Sequence, residues 1–537
     1  MTFPSREECV LVDLLERRSE TMPEKVFLVF ADREWTYRET AEHAWRFANG
    51  LIREGVGEGD YVSVWMPTHP DLVETWFGVN TAGGVYAPLN LAARGRYLEH
   101  TLNIAESRML VAHAQLVDRL VGLDLPHLET VVVTGGTPQV ELPWRTITMD
   151  SVRDGAAAGR PVLARPREPW DDMSLIYTSG TTGPSKGVRA AYATFWNYHR
   201  VFLEPYVGEQ DRFLQPLPMF HTAGTGITYS MLRCGGSVAL VERFSARTFL
   251  EDTRRLGATA TLVLHAMTSV LLAQPPRDDD GDNPVRVAYM GPLSHTKEFS
   301  ERFGISLYTN FGMTEAPGPL ASGLNPENEA SCGRPVDAVN YEVRLVDEHD
   351  LPVPTGTPGE LVLRHSLPWM INLGYKNMPE ATARAWRNGW FHTGDQFRED
   401  DDGNFYFLDR VKDAIRRRGE NISSYEVEAE IAAHPDVREV AVVAVPNPDV
   451  AEEMGDEEVK AVIVLEPGAE LDPAELIEFL VPRMPRYWLP RFVELVPELP
   501  RTESYKVRKA DLRAAGITAS TWDRERSGIT LEREVVR

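Results

Sequence analysis

The sequence predicts an α/β protein: a large N-terminal domain with mostly parallel sheets covered by helices, then a smaller α+β C-terminal domain. Three observations carry that prediction. Up to about residue 410, short β-rich apolar runs alternate with amphipathic helical stretches, and helices between strands imply parallel pairing with both faces covered. Glycine pairs at Gly83-Gly84, Gly135-Gly136 and Gly235-Gly236 punctuate the joins as turn chemistry requires. After the acidic turn Glu399–Asn404 the character changes, and a basic run from Asp409 leads into a strand-and-helix unit of about 120 residues, large enough for its own core.

Taken in chain order, Tyr61–Met66 reads as a strand, and Pro70–Thr81 as a helix with apolar positions at helical spacing. Further strands are expected at Val131–Thr134, Ser237–Val241, Thr261–Leu264 and Val285–Tyr289. Beyond the boundary, placed near Asp409–Asp413 (domains 1–409 and 410–537), a helix is expected at Ser424–Ala433 and strands at Glu439–Val445 and Val459–Leu465. A helix at Pro473–Leu480 and a strand at Arg491–Val496 follow, while the charged tail beyond Gly516 gives weak signals. No repeat of fixed period is present.

Charge and composition exclude several classes. With 56 Lys and Arg against 80 Asp and Glu, the net charge of −24 repels phosphate backbones and anionic lipid, which argues against nucleic-acid and membrane partners. Three scattered cysteines (Cys9, Cys234, Cys332) support neither a disulfide framework nor a cysteine-rich zinc site. The first residues lack the basic flank and clean apolar core of a signal peptide, and apolar runs such as Thr261–Ala273 fall short of the ~18 residues needed to span a bilayer. A cytoplasmic protein is expected. Two Asp-rich turns invite a calcium reading, but the first EF-hand position would be Pro276 or Arg398, neither a carboxylate, so both read as solvated turns.

The stretch Tyr177–Val188, YTSGTTGPSKGV, holds the most chemistry. Glycines let backbone N–H groups approach phosphate oxygens, Thr and Ser hydroxyls add donors, and Lys186 adds charge. Thr178, Ser179, Gly180, Thr181, Thr182, Gly183 and Lys186 are therefore candidate phosphate contacts. The run is not a Walker loop, because the spacing fails from either Gly180 or Gly183. Gly183–Gly187 satisfies GxSxG, but a nucleophile elbow needs a strand immediately before the serine, and here Pro184 and TSGTTG make a loop.

Together with PLPMFHTAG (Pro216–Gly224), NFGMTE (Asn310–Glu315), GWFHTGD (Gly389–Asp395), FLDRVKDAIRRRGENISSYEVE (Phe407–Glu428) and PRTESYKVRK (Pro500–Lys509), this loop resembles the acyl-adenylate-forming ligases, from about Leu11 to Lys509. The C-terminal third looks most like crotonobetaine/carnitine-CoA ligases, with DR before the hinge and GENIS after it. The resemblance implies a mobile C-terminal lid and a site at the domain junction. It also implies ATP or acyl-AMP, Mg²⁺, and coenzyme A as co-substrate: a carboxylate attacks the α-phosphate, pyrophosphate leaves, and the acyl group passes to a thiol.

Roles follow by motif position. The resemblance gives Glu315 to Mg²⁺, Thr314 to the α-phosphate, and Asn310, Phe311, Gly312 and Met313 to the base, with Phe311 where the family usually has Tyr. Gly291 and Pro292 match the wall behind the adenine, and Asp395 and Arg410 the ribose contacts. His221 falls at the gate between acid pocket and thiol tunnel, Lys412 at the hinge, and Gly419–Ile422 at the tunnel in the thiol pose, with Arg416–Arg418 placed to meet CoA phosphates. By position, Trp196–Val201, Thr222–Gly226, Leu264–Thr268 and Asn310–Met313 line the acid pocket, a mixture of aromatic and small residues that suits an apolar, fairly bulky acid.

One position departs from the pattern. Lys506 matches the lysine that bridges the incoming carboxylate and the α-phosphate, yet Tyr505 precedes it where the family has glycine. A bulky residue there closes conformations open to glycine, and a charge displaced by ~1 Å costs on the order of a hundredfold in rate. Besides the complete CoA ligase, three readings are thus open: a thioesterifying enzyme fed by a separate adenylating partner, a carrier-protein-loading enzyme, and a non-catalytic nucleotide-binding homologue.

Overall fold

The computed structural model describes residues 2–178, 185–291, 293, 295–336, 340–410, 414–418, 420–450, 456–500 and 507–529. A seven-stranded sheet runs in the order Arg145–Thr148, Thr130–Thr134, Met109–His113, Tyr61–Trp65, Val85–Pro88, Asp172–Thr178, Lys186–Ala191. Its first six strands are parallel and the last pair is an antiparallel hairpin. Strands such as Met109–His113 and Val85–Pro88 are buried along their whole length, because helices cover both faces and no polar face is needed. A second sheet of nine strands centres on parallel Ser306–Met313, Val287–Gly291, Ala260–Leu264, Arg212–Gln215, Ser237–Leu240 and Val26–Phe30, with antiparallel strands at both edges.

The helix Pro70–Thr81 has the bounds expected from sequence, with Pro70 at its first turn and the His69 ring accepting from Asp71 N at 3.2 Å. It packs against Tyr37–Arg53, whose start is fixed by a Thr36/Glu39 capping box. The two helices approach closely at Gly78, where a Cβ would lie 2.8 Å from the Phe47 ring. Phe27, Tyr37, Phe47, Trp76 and Phe77 fill the space between the layers, each worth roughly 1.5–3 kcal/mol of burial.

Register moves one expected strand. Val285–Tyr289 becomes Val287–Gly291, since pairing of Ala260 with Val287 and of Leu264 with Gly291 sets the rungs two residues later. A four-stranded antiparallel sheet, Tyr341–Val346, Gly359–His365, Phe391–Glu399 and Phe405–Arg410, interrupts the parallel plan. In its last turn the Asp400 carboxylate accepts from Asp402 N, Asn404 N and Tyr406 Oη, so it caps its own loop.

The smaller unit has its own apolar cluster around Ile422, Val427, Ile463, Leu476, Leu480 and Trp488. A hairpin, Ala414–Arg417 with Glu420–Ser423, leads into the helix Ser424–Ile431. The sheet behind it orders Val437–Pro446, Glu457–Leu465, Phe492–Leu495 and Trp522–Asp523. The last strand lies in the tail that gave weak sequence signals; two residues are too few for a periodic pattern, and pairing with Phe492 and Val493 defines it. Among the described residues no helix is long and apolar enough to cross a membrane.

Candidate functional site

The strands Asp172–Thr178 and Lys186–Ala191 flank the glycine-rich loop, and Thr178 and Lys186 face each other as a cross-strand pair at its base. The segment around Tyr375 docks on the free edge of this hairpin, through Leu373 N to Arg189 O (2.9 Å) and Lys376 N to Gly187 O (2.9 Å). That docking carries the Tyr375 ring beneath Lys186, whose Nζ lies 4.7 Å from the ring centroid. The Tyr375 hydroxyl donates to Glu315 Oε1 at 3.0 Å. Burial, and then the Glu315 charge, push the Tyr375 phenol well up, so it stays a donor. Glu315 itself is buried, and its carbonyl accepts from Asn372 N and Nδ2, both at 3.0 Å. A cation from the loop and a carboxylate from NFGMTE thus share one small site. Tyr375 was not legible in the sequence: a lone tyrosine in GYKN belongs to no pattern, and only the edge pairing brings it here.

The strand Ser306–Met313 delivers the other NFGMTE residues. Asn310 is buried and its carbonyl accepts from Tyr289 Oη at 3.3 Å. The Phe311 ring meets Phe397 edge-on, centroids 4.8 Å apart, which joins this strand to Phe391–Glu399 and so to Asp395. Asp395 is almost wholly buried, and its backbone pairs across the sheet with Arg410. At Gly291 a Cβ would stand 2.3 Å from Tyr289 Oη, so that position has no room for a side chain. At Gly312 a Cβ would stand only 3.0 Å from Gly318 N, a tight fit against backbone, and Met313 pairs with Ala316.

Thr314 borders a small cavity with Ile176, Val188, Ala190, Thr194, Phe195, Tyr198, Thr222 and Pro317. Its free volume is ≈ 10 Å³, about one water. Of the segments expected to line the acid pocket, Trp196–Val201 supplies Tyr198 and Thr222–Gly226 supplies Thr222. Of Leu264–Thr268, the described side chains Leu264, Met267 and Thr268 do not line this cavity, and Trp196 turns away to lie under the guanidinium groups of Arg200 and Arg233.

His221 stands at the N-cap of the helix Thr222–Cys234, its ring against Phe220 at 4.4 Å. Its Nε2 lies 3.6 Å from Glu420 Oε2 of the C-terminal hairpin. Burial opposes charge on Glu420, but His221 outweighs it and holds the carboxyl below the usual range. A second contact between the domains joins Ser185 N, just after the loop, to Glu426 Oε1 at 2.8 Å.

The expectation that Arg416–Arg418 face CoA phosphates together is corrected at its middle residue. Arg417 is buried in the C-terminal domain, 2.6 Å from Glu458 and donating to the carbonyls of Tyr487 and Leu489. Alternation along the strand turns its side chain inward, while Arg416 lies over the Phe407 ring and Arg418 is exposed. Ser179, Gly180, Thr181, Thr182, Gly183, Pro292, Lys412, Gly419, Tyr505 and Lys506 lie outside the described residues, and of Arg410 only the backbone is described.

Residues 15–375 match the model of the AMP-binding enzyme family, and residues 426–506 that of the AMP-binding enzyme C-terminal domain. The chain belongs to the AMP-binding enzyme family. It is 32% identical over 504 residues to a feruloyl-CoA synthase of Amycolatopsis sp., covering 93% of this chain and 97% of that one. A crotonobetaine/carnitine–CoA ligase of Salmonella typhi is 30% identical over 506 residues, covering 90% and 93%. Among solved structures, an amide bond synthetase from Marinactinospora thermotolerans superposes with a TM-score of 0.80 at 26% identity, covering 93% and 99%. An anthranilate CoA ligase bound to anthranoyl-AMP gives 0.68 at 26%, covering 94% and 96%. With relatives of this kind over nearly its whole length, this AMP-binding enzyme is an adenylate-forming acid–thiol ligase.

Proposed function

We propose that the enzyme activates a carboxylic acid as its acyl-adenylate with ATP and Mg²⁺ and transfers the acyl group to coenzyme A. The observation that carries this is the Lys186–Tyr375–Glu315 arrangement, which holds a cation and a carboxylate against one tyrosine at the base of the glycine-rich loop. Thr178 and Lys186, with Ser179–Gly183, hold the β- and γ-phosphates in this reading. Lys186 stabilises the charge that gathers on the departing pyrophosphate. Glu315 is the carboxylate offered to an ion that arrives with the nucleotide. One carboxylate plus substrate phosphates suits Mg²⁺, which would neutralise the negative charge that builds as pyrophosphate departs. Tyr375 fixes the Glu315 rotamer from below.

Phe311, Asn310, Gly312, Met313, Gly291 and Pro292 form the adenine slot, and Asp395 with Arg410 takes the ribose. Phe311 lacks the tyrosine hydroxyl but keeps the ring on which a base stacks. Thr314, with Lys506 by its motif, meets the α-phosphate and the attacking carboxylate. His221 gates the passage to the thiol, held aside by Glu420 in the present arrangement, and Gly419 belongs to the same passage. The domains divide at 409/410, with the hinge at Lys412. The cavity beside Thr314 is apolar on most walls, which favours an apolar acid; a bulky one enters only if Tyr198 or Phe195 moves. The curated relatives favour the complete ligase over the half-reaction, carrier-loading and non-catalytic readings.

The test is acid-dependent exchange of pyrophosphate into ATP across pooled carboxylic acids, followed by thioester formation with CoA. Exchange with one pool and CoA-dependent AMP release are expected. Thioester formed from a synthetic adenylate, without exchange in any pool, would overturn the adenylation half and point back to Tyr505.

A further inference from the structure

The strand Phe391–Glu399 does not run evenly beside Gly359–His365. Gln396 pairs with Glu360 and His392 with Val362, so Thr393, Gly394 and Asp395 stand opposite Leu361 alone, a bulge in the strand that carries Asp395. Bulged residues lose ladder partners, and here side chains meet their N–H groups instead. Gly394 N donates to Glu360 Oε1 at 3.0 Å, and Asp395 N to Thr393 Oγ1 at 3.1 Å. The Thr393 hydroxyl in turn donates to Leu361 O at 2.7 Å, which ties the bulge to the neighbouring strand. Gly394 sits at φ +73, a conformation that other residues reach only with strain. Glu360 is itself held from the far side: Arg387 Nη2 donates to its Oε2 at 3.0 Å, and His392 Nδ1 lies 3.0 Å from the same oxygen. Burial opposes charge on Glu360, but His392, the Gly394 N–H and Arg387 outweigh it and hold the carboxyl below the usual range.

We infer that Glu360 and Thr393 are positioning residues that hold this bulge and so aim the Asp395 carboxylate, a role that rests on the reading of Asp395 as the ribose contact. A bulge bends its strand and re-aims the side chain it carries. Asp395 is almost wholly buried, so the direction of its carboxylate follows its backbone. Hydrogen bonds from ribose hydroxyls need about 2.7 Å between oxygens, and a carboxylate displaced by ~1 Å no longer accepts them. Glu360 acts from both ends of its carboxylate: one oxygen accepts from Gly394, the other faces Arg387 and His392. Glutamine offers one oxygen and one NH₂, so in Glu360→Gln one side sets a donor against a donor. Thr393→Val keeps the shape and loses both hydroxyl bonds, whereas Thr393→Ser keeps them.

The test is calorimetric binding of AMP and of 2′,3′-dideoxy-AMP to the full-length protein, which needs neither acid nor turnover. In the wild type, loss of both hydroxyls weakens binding on the order of 10- to 100-fold, the scale of hydrogen bonds to a charged group. E360Q and T393V bring that ratio down to about threefold or less, by weakening AMP while the dideoxy nucleotide stays within about twofold. T393S keeps the wild-type ratio. Asp395→Ala abolishes the discrimination, and E360Q added to it weakens AMP no further, because the two act through one carboxylate. A merely structural role would weaken both nucleotides alike. That result, or a wild-type ratio in E360Q or T393V while Asp395→Ala abolishes it, overturns the positioning role alone. A wild-type ratio in Asp395→Ala overturns the ribose reading, and the positioning role with it.

Discussion

Gly226→Ala offers a direct test of how the acid pocket is built. Gly226 lies buried on the helix Thr222–Cys234, and a Cβ there would stand 2.5 Å from Cε1 and 2.7 Å from Cδ1 and Cζ of Tyr198. To reach ordinary contact the ring must retreat by about 0.9 Å. It has nowhere easy to go: Phe202 stacks on it at 4.9 Å, and the adjoining cavity offers only ≈ 10 Å³. Overpacking of this kind costs about 1–3 kcal/mol, partly offset by the ~1 kcal/mol gained when alanine replaces glycine inside a helix. The net loss of stability is therefore small, about 0–2 kcal/mol, and the larger effect is on the acid. A ring pushed toward Thr314 displaces the substrate by up to ~1 Å, which lowers kcat/KM for the acid on the order of 10- to 100-fold. KM for ATP should stay within about twofold, because the ring packs against Phe195 and Phe202 beside the cavity at Thr314. The assay is pyrophosphate exchange at varied acid and varied ATP, with urea unfolding alongside. Tyr198→Leu in the G226A background removes the clash and should restore most of the acid dependence. Unchanged acid kinetics in the single variant, or an equal loss on the ATP side, would refute the reasoning.

Two further expectations concern stability. Burial opposes ionisation of Asp71, but His69 and Arg153 outweigh it and hold the carboxyl down to about 2. A depressed carboxylate stabilises the fold above its ordinary value and loses that contribution as pH falls, so Asp71→Asn should lower the unfolding free energy measured in urea by ~2 kcal/mol at pH 6, with the gap to wild type closing between about pH 4 and 2. Equal gaps at both ends of that range would show that the ion pair with Arg153 is not the source. Glu458 is wholly buried among Arg417, Arg418 and Arg491. Glu458→Gln leaves Arg417 uncompensated and should cost the C-terminal domain ~3–5 kcal/mol, read as early loss of hydrogen-exchange protection in Val437–Pro446 and Glu457–Leu465. Protection equal to wild type there would mean the network is dispensable.

Much of the molecule was legible from local signals. Pro70–Thr81 begins at a proline and ends before Gly83, and its limits follow from capping and periodicity within a dozen residues. YTSGTTGPSKGV, NFGMTE and GWFHTGD stood out in the sequence because each packs its donors, its turn glycines and its charge into one short stretch. Arg417 was misread for the converse reason: within RRR nothing distinguishes the residue that turns inward, and Glu458 selects it from another strand. The strand Val26–Phe30 went unassigned, and it is defined by pairing with Ser237–Leu240 far along the chain.

Sequence alone thus determined the fold class and the family, and it named the residues proposed for the site, since residue type and short-range spacing decide what each motif can bind. Tertiary structure alone decided which residues meet. Tyr375 stands between Lys186 and Glu315 only because its segment docks on the loop's hairpin. His221 with Glu420, and Ser185 with Glu426, meet only because two domains pack face to face. The physical reason is that such pairings depend on sheet edges and domain surfaces, whose positions are set by the packing of the whole chain and leave no local pattern in either partner.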